Sequence, residues 1–264
     1  MSMIAIDDPE LAKSFLGSVR LPRPPAELEG VTERTARSTP PEYNAGVEQA
    51  VTVGSQIAEF AENVPAELRP QISNSFLLAQ LAANREVQEN EGDTKAWYER
   101  YVDVLANIGW LVESNQEAVR EVSGSSLEVH QEIVPVITAI LGPAVAAKTV
   151  VVSVLKGLAE MDKDQPWITL FDRESQRASA NQFQISYAVV DEEGNPRISL
   201  VCFELDASRS LTQVLFFKFT TSQAKLTHFG AELGINPGVF EAVKEVVENR
   251  VAQYVTSYIA DIQI

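Results

Sequence analysis

Residues 211–220, LTQVLFFKFT, place large apolar side chains on both faces of any strand that they form. Successive side chains of a strand point to opposite faces, and a strand with one face in water alternates apolar with polar residues. This segment does not alternate in that way. We therefore predict a strand in the middle of a sheet that other elements cover on both faces. One face would carry Leu211, Leu215, Phe217 and Phe219, and the other Val214 and Phe216.

Most of the chain before residue 181 has helical periodicity, in which apolar residues recur every three or four positions. Two pairs of predicted helices are separated by short breaks, at Pro65 and at Gly142 with Pro143, which is typical of helical hairpins. The polar segment 110–122 is predicted as a strand. The predicted helices are 46–63, 66–88, one that starts near Asp93, 126–141 and 143–160.

From Asn181 the periodicity changes to two, which is typical of strands. Asn236 followed by Pro237 predicts the start of a last helix. Helices and strands that are separated along the chain indicate an α+β fold. We predict a single three-layer domain, in which two α-helical hairpins wrap a central antiparallel β-sheet. The predicted strands of this part are 182–190, 197–205, 211–220 and 224–233.

The first 45 residues contain six of the 13 prolines, and a helix cannot run through prolines at that spacing. This predicts a flexible N-terminal arm over 1–45 and one domain over 46–264. Residues 15–21 are predicted as a strand, which would pair with a partner's sheet edge as a swapped strand. The arm is otherwise a propeptide, with Arg34 and Arg37 as candidate sites of activating cleavage.

The net charge of −16 argues against a nucleic-acid partner, because phosphate contacts require clustered Lys and Arg. It also argues against strongly anionic membranes and leaves zwitterionic lipid as the expected membrane partner. Neutralising carboxylates at low pH is expected to help membrane binding. The N-terminus has no basic segment followed by a long apolar run, so we expect synthesis in the cytoplasm without a signal peptide.

The sequence contains no recognisable motif for a catalytic or cofactor site. Its histidines are His130 and His228, and no zinc-binding His-Glu-x-x-His, P-loop or Gly-x-Ser-x-Gly motif is present. A Ser-His-Asp triad stays open, since its members need not be adjacent in sequence. We predict no enzyme, no cofactor and no metal. Cys202, the single cysteine, is either a small buried hydrophobe or an acylation or redox site. Residues 172–174 either line a pocket or form a solvated turn.

Residues 133–155 contain one charged side chain, Lys148, in 23 positions. About 20 apolar residues suffice to span a bilayer as a helix. Gly142 and Pro143 in the middle favour a buried helical hairpin instead. The same hairpin is a candidate for the part of the protein that opens onto a membrane.

From about residue 126 to residue 235 the chain resembles the Cyt-type cytolytic δ-endotoxins. The similarity lies in the order of several short sequence motifs. An apolar helical hairpin leads into 166–171 (PWITLF), a polar run over 174–181 and a strand hairpin, and then come 203–205 (FEL) and 213–217 (QVLFF). The last motif, at 213–217, is the most specific. Residues 1–110 match poorly, and Cys202 stands where the insecticidal members would not be expected to have a cysteine.

The resemblance implies a sheet wrapped by two helical hairpins, storage as a protoxin, dimers formed through an N-terminal strand, and activation by trimming. It also implies permeabilisation of membranes without a protein receptor. The wider fold group includes a mushroom pore-forming cytolysin and an insect-gut virulence factor that carries a fatty acyl chain. Because of Cys202, an acylated or fatty-acid-binding virulence factor is the alternative function.

Our leading hypothesis is a pore-forming cytolytic toxin that acts outside the producing cell, directly on target-cell lipid, and oligomerises there. Two mechanisms are considered. In one, the strands insert as a closed barrel; in the other, the helices spread on the membrane surface and disrupt it in a detergent-like way. An unrecognised hydrolase is a third hypothesis. The candidate membrane-inserting residues are Ile185, Tyr187, Val189, Leu200, Phe203, Leu211, Val214, Leu215, Phe216, Phe217 and Phe219, with Cys202 as the candidate acylation site.

Overall fold

A computed structural model describes residues 6–24, 41–91, 93–122, 128–142, 145, 149–177, 181–206, 213–216 and 224–262. The helices are α1 (Pro9–Ser18), α2 (Leu68–Asn90), α3 (Thr94–Asn107), α4 (Val129–Leu141), α5 (Val150–Gly157), α6 (Pro166–Arg177), α7 (Pro237–Val251) and α8 (Val255–Tyr258). The strands are β1 (Gln49–Val53), β2 (Gln56–Phe60), β3 (Trp110–Val122), β4 (Asn181–Val190), β5 (Pro196–Asp206), β6 (Ala224–Ile235) and β7 (Ile259–Asp261).

The described strands form one sheet in the order β3-β6-β5-β4-β2-β1-β7. Neighbours are antiparallel except for β2 and β4, which run parallel and pair Gln56 with Gln184 and Phe60 with Ala188. The parallel pair is possible because the long connection through the helices returns the chain in the same direction. The sheet is therefore mostly antiparallel.

Strand β5 lies inside the sheet, and apolar side chains cover both of its faces. Leu200 and Cys202 belong to one core cluster, whereas Val201 and Phe203 belong to another, and all four are buried. Residues next to each other in a strand point to opposite faces, so the sheet separates two hydrophobic cores. A strand covered on both faces is thus found in β5, and not at Val214–Phe216 of the segment for which it was predicted.

Each core is closed by its own layer of helices. The first is filled from α1, α2, α3 and α7, and the second from α4, α5 and α6. The helical hairpins are α2–α3 on the first face and α4–α5 on the second. The predicted α+β, three-layer architecture with a sheet between two hairpins is confirmed.

The predicted helix over 46–63 is wrong, and with it the pairing of that helix with 66–88. The chain forms the β1–β2 hairpin there, turning at Gly54 with φ of 55°. A Cβ at Gly54 would lie 2.6 Å from Oε1 of Gln80, so the close approach of α2 requires glycine. Residues 50–60 are buried. When both faces of a strand are buried, its apolar residues also fit the spacing of an apolar helix face, so the two structures have similar sequence patterns.

The predicted strand over 15–21 is also wrong, since residues up to Ser18 belong to α1. The Asp8 carboxylate accepts hydrogen bonds from the backbone N–H groups of Glu10 (2.8 Å) and Leu11 (3.3 Å), and Pro9 opens the first turn. Asp followed by Pro is a signal for the start of a helix. The prediction overlooked it because it relied on the number of prolines in the first 45 residues. The helix contacts α7.

The opening segment is only partly described. Val214–Phe216 form a single 3₁₀ turn rather than a strand, so the strand prediction is wrong there. Residues 211–212 and 217–220, with Leu211, Phe217 and Phe219, lie outside the described residues. Helix α6 was not predicted either, and residues 172–174, considered as a solvated turn, are part of it. Strands β3, β4, β5 and β6 and helices α3, α4 and α7 lie where the sequence predicted them.

Candidate functional site

The sheet face under α4, α5 and α6, here called the hairpin face, carries the most aromatic part of the second core. Phe183 on β4 stacks on Phe203 of β5, with ring centroids 5.0 Å apart. Phe171 of α6 meets the ring of Phe183 edge-on at 5.8 Å. This face would present a continuous apolar surface if its helices moved away. Its other buried members on β4 and β5 are Ile185, Val201 and Leu205.

The α4–α5 hairpin covers this face with an apolar surface of its own. Its residues in the second core are Val129, Ile133, Val136, Ile137, Val151, Val152, Val154 and Leu155. Pro135 lies inside α4, where it removes one backbone hydrogen bond of the helix. Helix α5 is only eight residues long. Short, interrupted helices depend on tertiary contacts for stability, so this hairpin is held mainly by what it packs against.

Glu59 of β2 supplies a polar attachment of this hairpin to the sheet. Its carboxylate accepts hydrogen bonds from the backbone N–H of Val150 (2.7 Å) and of Val151 (2.8 Å), the first residues of α5. The Thr149 side chain caps the same helix by accepting from Val152 N–H at 3.3 Å. Carboxylates are stabilised at helix N-termini, where N–H groups lack partners in the helix. Glu59 thus holds the start of α5 to the sheet.

The Glu59 carboxylate is buried, with 1% of the residue exposed. Burial raises the pKa of its side chain to about 7, against the opposing effect of the two N–H groups, and nearby Glu48 raises it further. Among the described residues no Lys, Arg or His forms an ion pair with it. A buried carboxylate with hydrogen-bond donors but no counter-charge is costly to ionise.

The Val214–Phe216 turn is attached to the helices of the same layer. Asp172 of α6 accepts a hydrogen bond from the Val214 backbone N–H, and burial raises the pKa of its carboxyl group to about 6. Nδ1 of His130, at the start of α4, lies 3.4 Å from the Leu215 carbonyl oxygen. Lys163 lies over the ring of Phe216, 4.8 Å from its centre. A second buried carboxylate therefore holds this layer.

The opposite face is held quite differently, by a network of buried polar side chains. Gln56 of β2 accepts hydrogen bonds from the Tyr101 hydroxyl of α3 (2.8 Å) and from Nε2 of Gln80 in α2 (3.3 Å). Its own Nε2 donates to the Ser186 hydroxyl of β4 at 2.8 Å. Gln80 also donates to the Val53 carbonyl at 2.8 Å. Both helices of the α2–α3 hairpin are therefore hydrogen-bonded to the sheet.

The network extends along the same face to Cys202. Oε1 of Gln80 accepts from the backbone N–H of Ser55 at 3.1 Å, and the Ser55 hydroxyl donates to Oε1 of Gln184 at 3.0 Å. Nε2 of Gln184 lies 3.8 Å from the Cys202 sulfur. Moving α2 and α3 off the sheet would leave several of these groups without partners, each at a cost of about 1–3 kcal/mol if they stayed dry.

Cys202 is fully buried, and burial raises the pKa of its thiol to about 12. The thiolate is the reactive form, so at neutral pH this side chain is an unreactive thiol within the α2–α3 core. Acylation of the folded chain would require the sulfur to become accessible first. Acylation of Cys202 stays a prediction.

The candidate inserting residues do not share one face. Ile185, Phe203, Val214 and Leu215 belong to the core of the hairpin face, and Phe216 packs against it. Leu200 lies in the opposite core, while Tyr187 and Val189 are only half-buried. Phe203 lies on β5, which α4 contacts, whereas Ile185 lies on β4, which α6 contacts. Leu211, Phe217, Phe219, Arg34 and Arg37 lie outside the described residues.

Sequence reasoning missed the polar groups that attach each layer. Glu59 and Gln56 fall in the segment assigned to a helix, and Asp172 falls in one considered a loop. The available signal was a lone charged residue, Glu59, within an otherwise uncharged run, AVTVGSQIAEF. A charged residue in a segment that is buried on both faces usually has a specific partner.

Two features are absent from the part of the chain that the structure describes. No described helix has both the length and the apolar character required to cross a membrane. No three His, Cys, Asp or Glu side chains among the described residues converge on a position where they could hold a metal ion.

Comparison with known proteins places this fold beside two solved structures. One is a delta-endotoxin, with a TM-score of 0.37 and 13% identity, covering 78% of this chain and 91% of that chain. The other is the Evf virulence factor, with a TM-score of 0.31 and 12% identity, covering 96% and 91%. They are the two kinds of protein to which the sequence resemblance pointed. No family model and no curated protein matches the chain. At these TM-scores no conclusion about activity follows from either similarity.

Proposed function

We propose that the chain is a membrane-perturbing, pore-forming cytolytic toxin that acts directly on lipid. The observation that carries this is the unequal attachment of the two hairpins. The α2–α3 hairpin is hydrogen-bonded to the sheet through Gln56 and Gln80, whereas α4–α5 covers the aromatic hairpin face with apolar contacts and the Glu59 attachment.

Lipid can replace the contacts that α4–α5 makes with the sheet. Burial of apolar area is worth about 25 cal/mol per Å² whether the cover is protein or hydrocarbon. At a bilayer, the apolar side of α4–α5 and the hairpin face around Phe183 and Phe203 could both enter the lipid. Polar groups of the α2–α3 face have no comparable replacement there. The opening step is therefore assigned to α4–α5.

In this proposal the producing cell makes a soluble, closed form, and activity begins when the chain reaches zwitterionic membranes of a target cell. The low charge density of such lipid suits a chain with a net charge of −16. Self-association on the membrane completes the pore, because inserted strands need every backbone group paired. Nucleic acid has no place in this function, and neither does an enzymatic step.

The test is release of an entrapped dye from phosphatidylcholine vesicles, with and without brief trypsin treatment. We expect release by the full chain that increases after trimming. A variant with Phe203 replaced by Asp should release much less, since a charge on the hairpin face must enter lipid. The matched control is an exposed substitution, Glu241→Gln on α7, which should behave as the parent.

Absence of release between pH 5 and 8, in both the full and the trimmed chain, would contradict the proposal. The intact mass of the protein from its native source then tests the alternative, since an acylated chain is heavier by one fatty acyl group. Release without trimming would keep the toxin and remove the need for cleavage.

A further inference from the structure

The Glu59 attachment joins a buried acid to the part of the chain proposed to open. Two polar contacts between the sheet and the hairpin, at 2.7 and 2.8 Å, end on this one carboxylate. Glu59 is 1% exposed while α4–α5 is closed. When α5 leaves the sheet, the carboxylate loses its cover and returns to water.

Within the part of the chain that the structure describes, the charges around Glu59 do not compensate its own. Glu48, just before β1, is close enough to oppose ionisation of Glu59. On β4 the neighbour is Tyr187, whose pKa is raised to about 12 by burial and by Glu59, Glu48 and Glu62. From α5 the groups that face it are backbone N–H donors, and Lys148, which precedes α5, lies outside the described residues. Ionisation in the closed state therefore adds a buried negative charge to an acidic neighbourhood.

We propose that Glu59 is a proton-controlled anchor of the α4–α5 hairpin, which is held most tightly when this carboxyl group is protonated and opens more readily when it is ionised. The physical reason is solvation. The ionised carboxylate recovers its hydration when the hairpin opens, whereas the protonated group has little to recover. The inference goes beyond the proposed function, because it concerns the protein in water, with or without activity on lipid.

The sign follows from linkage. A group that binds its proton more tightly in the closed than in the open state favours closure at low pH and loses that contribution as the pH rises. For Glu59 the range runs from its ordinary pKa near 4.5 in the open state to about 7 in the closed state. Between pH 5.5 and 8 the ratio of closed to open hairpin should fall by roughly 30-fold.

Hydrogen exchange in water, without lipid, tests the anchor. Protection factors, corrected for the intrinsic rate at each pH, are compared for peptides from α4 and α5 and for peptides from α2 and α3. We expect protection of α4–α5 to fall by roughly 30-fold from pH 5.5 to 8 while that of α2–α3 changes little. In Glu59→Gln the α4–α5 peptides should lose this pH dependence, although the amide keeps only one oxygen to accept from the Val150 or Val151 N–H.

Two further variants sharpen the result. Glu59→Ala removes both acceptors and should lower protection of α5 at every pH, since Val150 and Val151 lose their partners. Glu48→Gln removes a nearby charge without touching these bonds and should keep most of the pH dependence. Protection of α4–α5 that does not change with pH in the parent would overturn the proposal, even if every variant failed to fold. A pH dependence that persists in Glu59→Gln, or an equal fall in α2–α3, would also overturn it.

Discussion

Gln56 joins three elements through one side chain. Its amide oxygen accepts from Tyr101 of α3 and Gln80 of α2, and its amide nitrogen donates to Ser186 of β4. All four residues are buried. In a dry core the loss of such a residue costs more than the bonds themselves contribute, because the former partners remain polar and unsatisfied.

Replacing Gln56 by Leu should therefore destabilise the protein strongly. Tyr101 and Ser186 would lose their partner while still buried, and we expect the free energy of unfolding to fall by about 2–4 kcal/mol. The matched control is Tyr101→Phe, which removes a single donor and leaves Gln56 bonded to Gln80, at about 1 kcal/mol. Urea unfolding of both variants measures the difference. Equal losses would show that the network does not stabilise the α2–α3 layer in this way.

Element by element, the sequence predicted well where one periodicity prevailed and poorly where burial was complete. Strands β4 and β5 and helix α3 were predicted because their patterns and boundary residues agree. The β1–β2 hairpin was not, because both faces are buried and the apolar positions fit either period. The three-layer architecture was correctly predicted although Val214–Phe216, the centre of the segment that suggested it, is a turn.

The same limit applies to the candidate site. Phe203 and Ile185, two of the candidate inserting residues, lie in the core of the hairpin face, whereas Leu200 lies in the opposite core. The sequence did not divide these candidates between the two faces, because residue type does not reveal which layer covers a strand buried on both sides. The Glu59 attachment depends on α5, which lies 91 residues away in sequence and meets β2 only in the folded chain.

Helix α1 is attached to α7 and to the residues after it. The Arg250 guanidinium donates hydrogen bonds to the Leu16 and Val19 carbonyl oxygens at the end of α1, where the Leu16 carbonyl also accepts from the Val19 N–H at 3.3 Å. The Tyr254 hydroxyl donates to the Pro22 carbonyl at 2.6 Å. Cleavage at Arg34 or Arg37 would therefore leave α1 bound, so trimming alone does not remove the N-terminal segment.

Replacing Arg250 by Ala should weaken this attachment. After a trypsin cut at Arg34 or Arg37, we expect the N-terminal fragment of the parent to remain bound under native conditions and to separate only in denaturant. In Arg250→Ala the fragment should dissociate far more readily, because two charge-assisted bonds of about 1.5–3 kcal/mol each are lost. Native and denaturing mass spectra measure the bound fraction. Lys244→Ala on the same helix is the control. A parent fragment that dissociates at once would contradict the attachment.

At the scale of the whole molecule, two electrostatic effects predict opposite responses to pH. The net charge of −16 predicts easier binding at low pH, when carboxylates are neutralised. Glu59 and Asp172 predict easier opening at high pH. The pKa values of both are raised in the closed state, to about 7 and about 6, so each stabilises closure at low pH and loses that effect as the pH rises toward those values. Glu59 alone corresponds to about 3 kcal/mol across its full range.

Membrane composition separates the two effects. A phosphatidylcholine surface carries no net charge, so the overall charge of the protein has little influence there and opening should decide the rate. We expect the initial rate of dye release from such vesicles to rise from pH 5 to pH 8, with most of the increase complete slightly above pH 7. Vesicles in which a fifth of the lipid is anionic should show less release at pH 8 than neutral ones. The negatively charged protein is repelled by the anionic surface, and this repulsion reduces its binding even though the hairpin opens readily.

The Glu59→Gln variant links this result to the anchor. Its release from neutral vesicles should vary less with pH than that of the parent, because the group that titrates has been removed. Asp172→Asn should shift the response in the same direction but by less, since the group that it replaces titrates over a lower range. Faster release at pH 5 than at pH 8 from neutral vesicles would show that net charge, rather than opening of α4–α5, limits the activity.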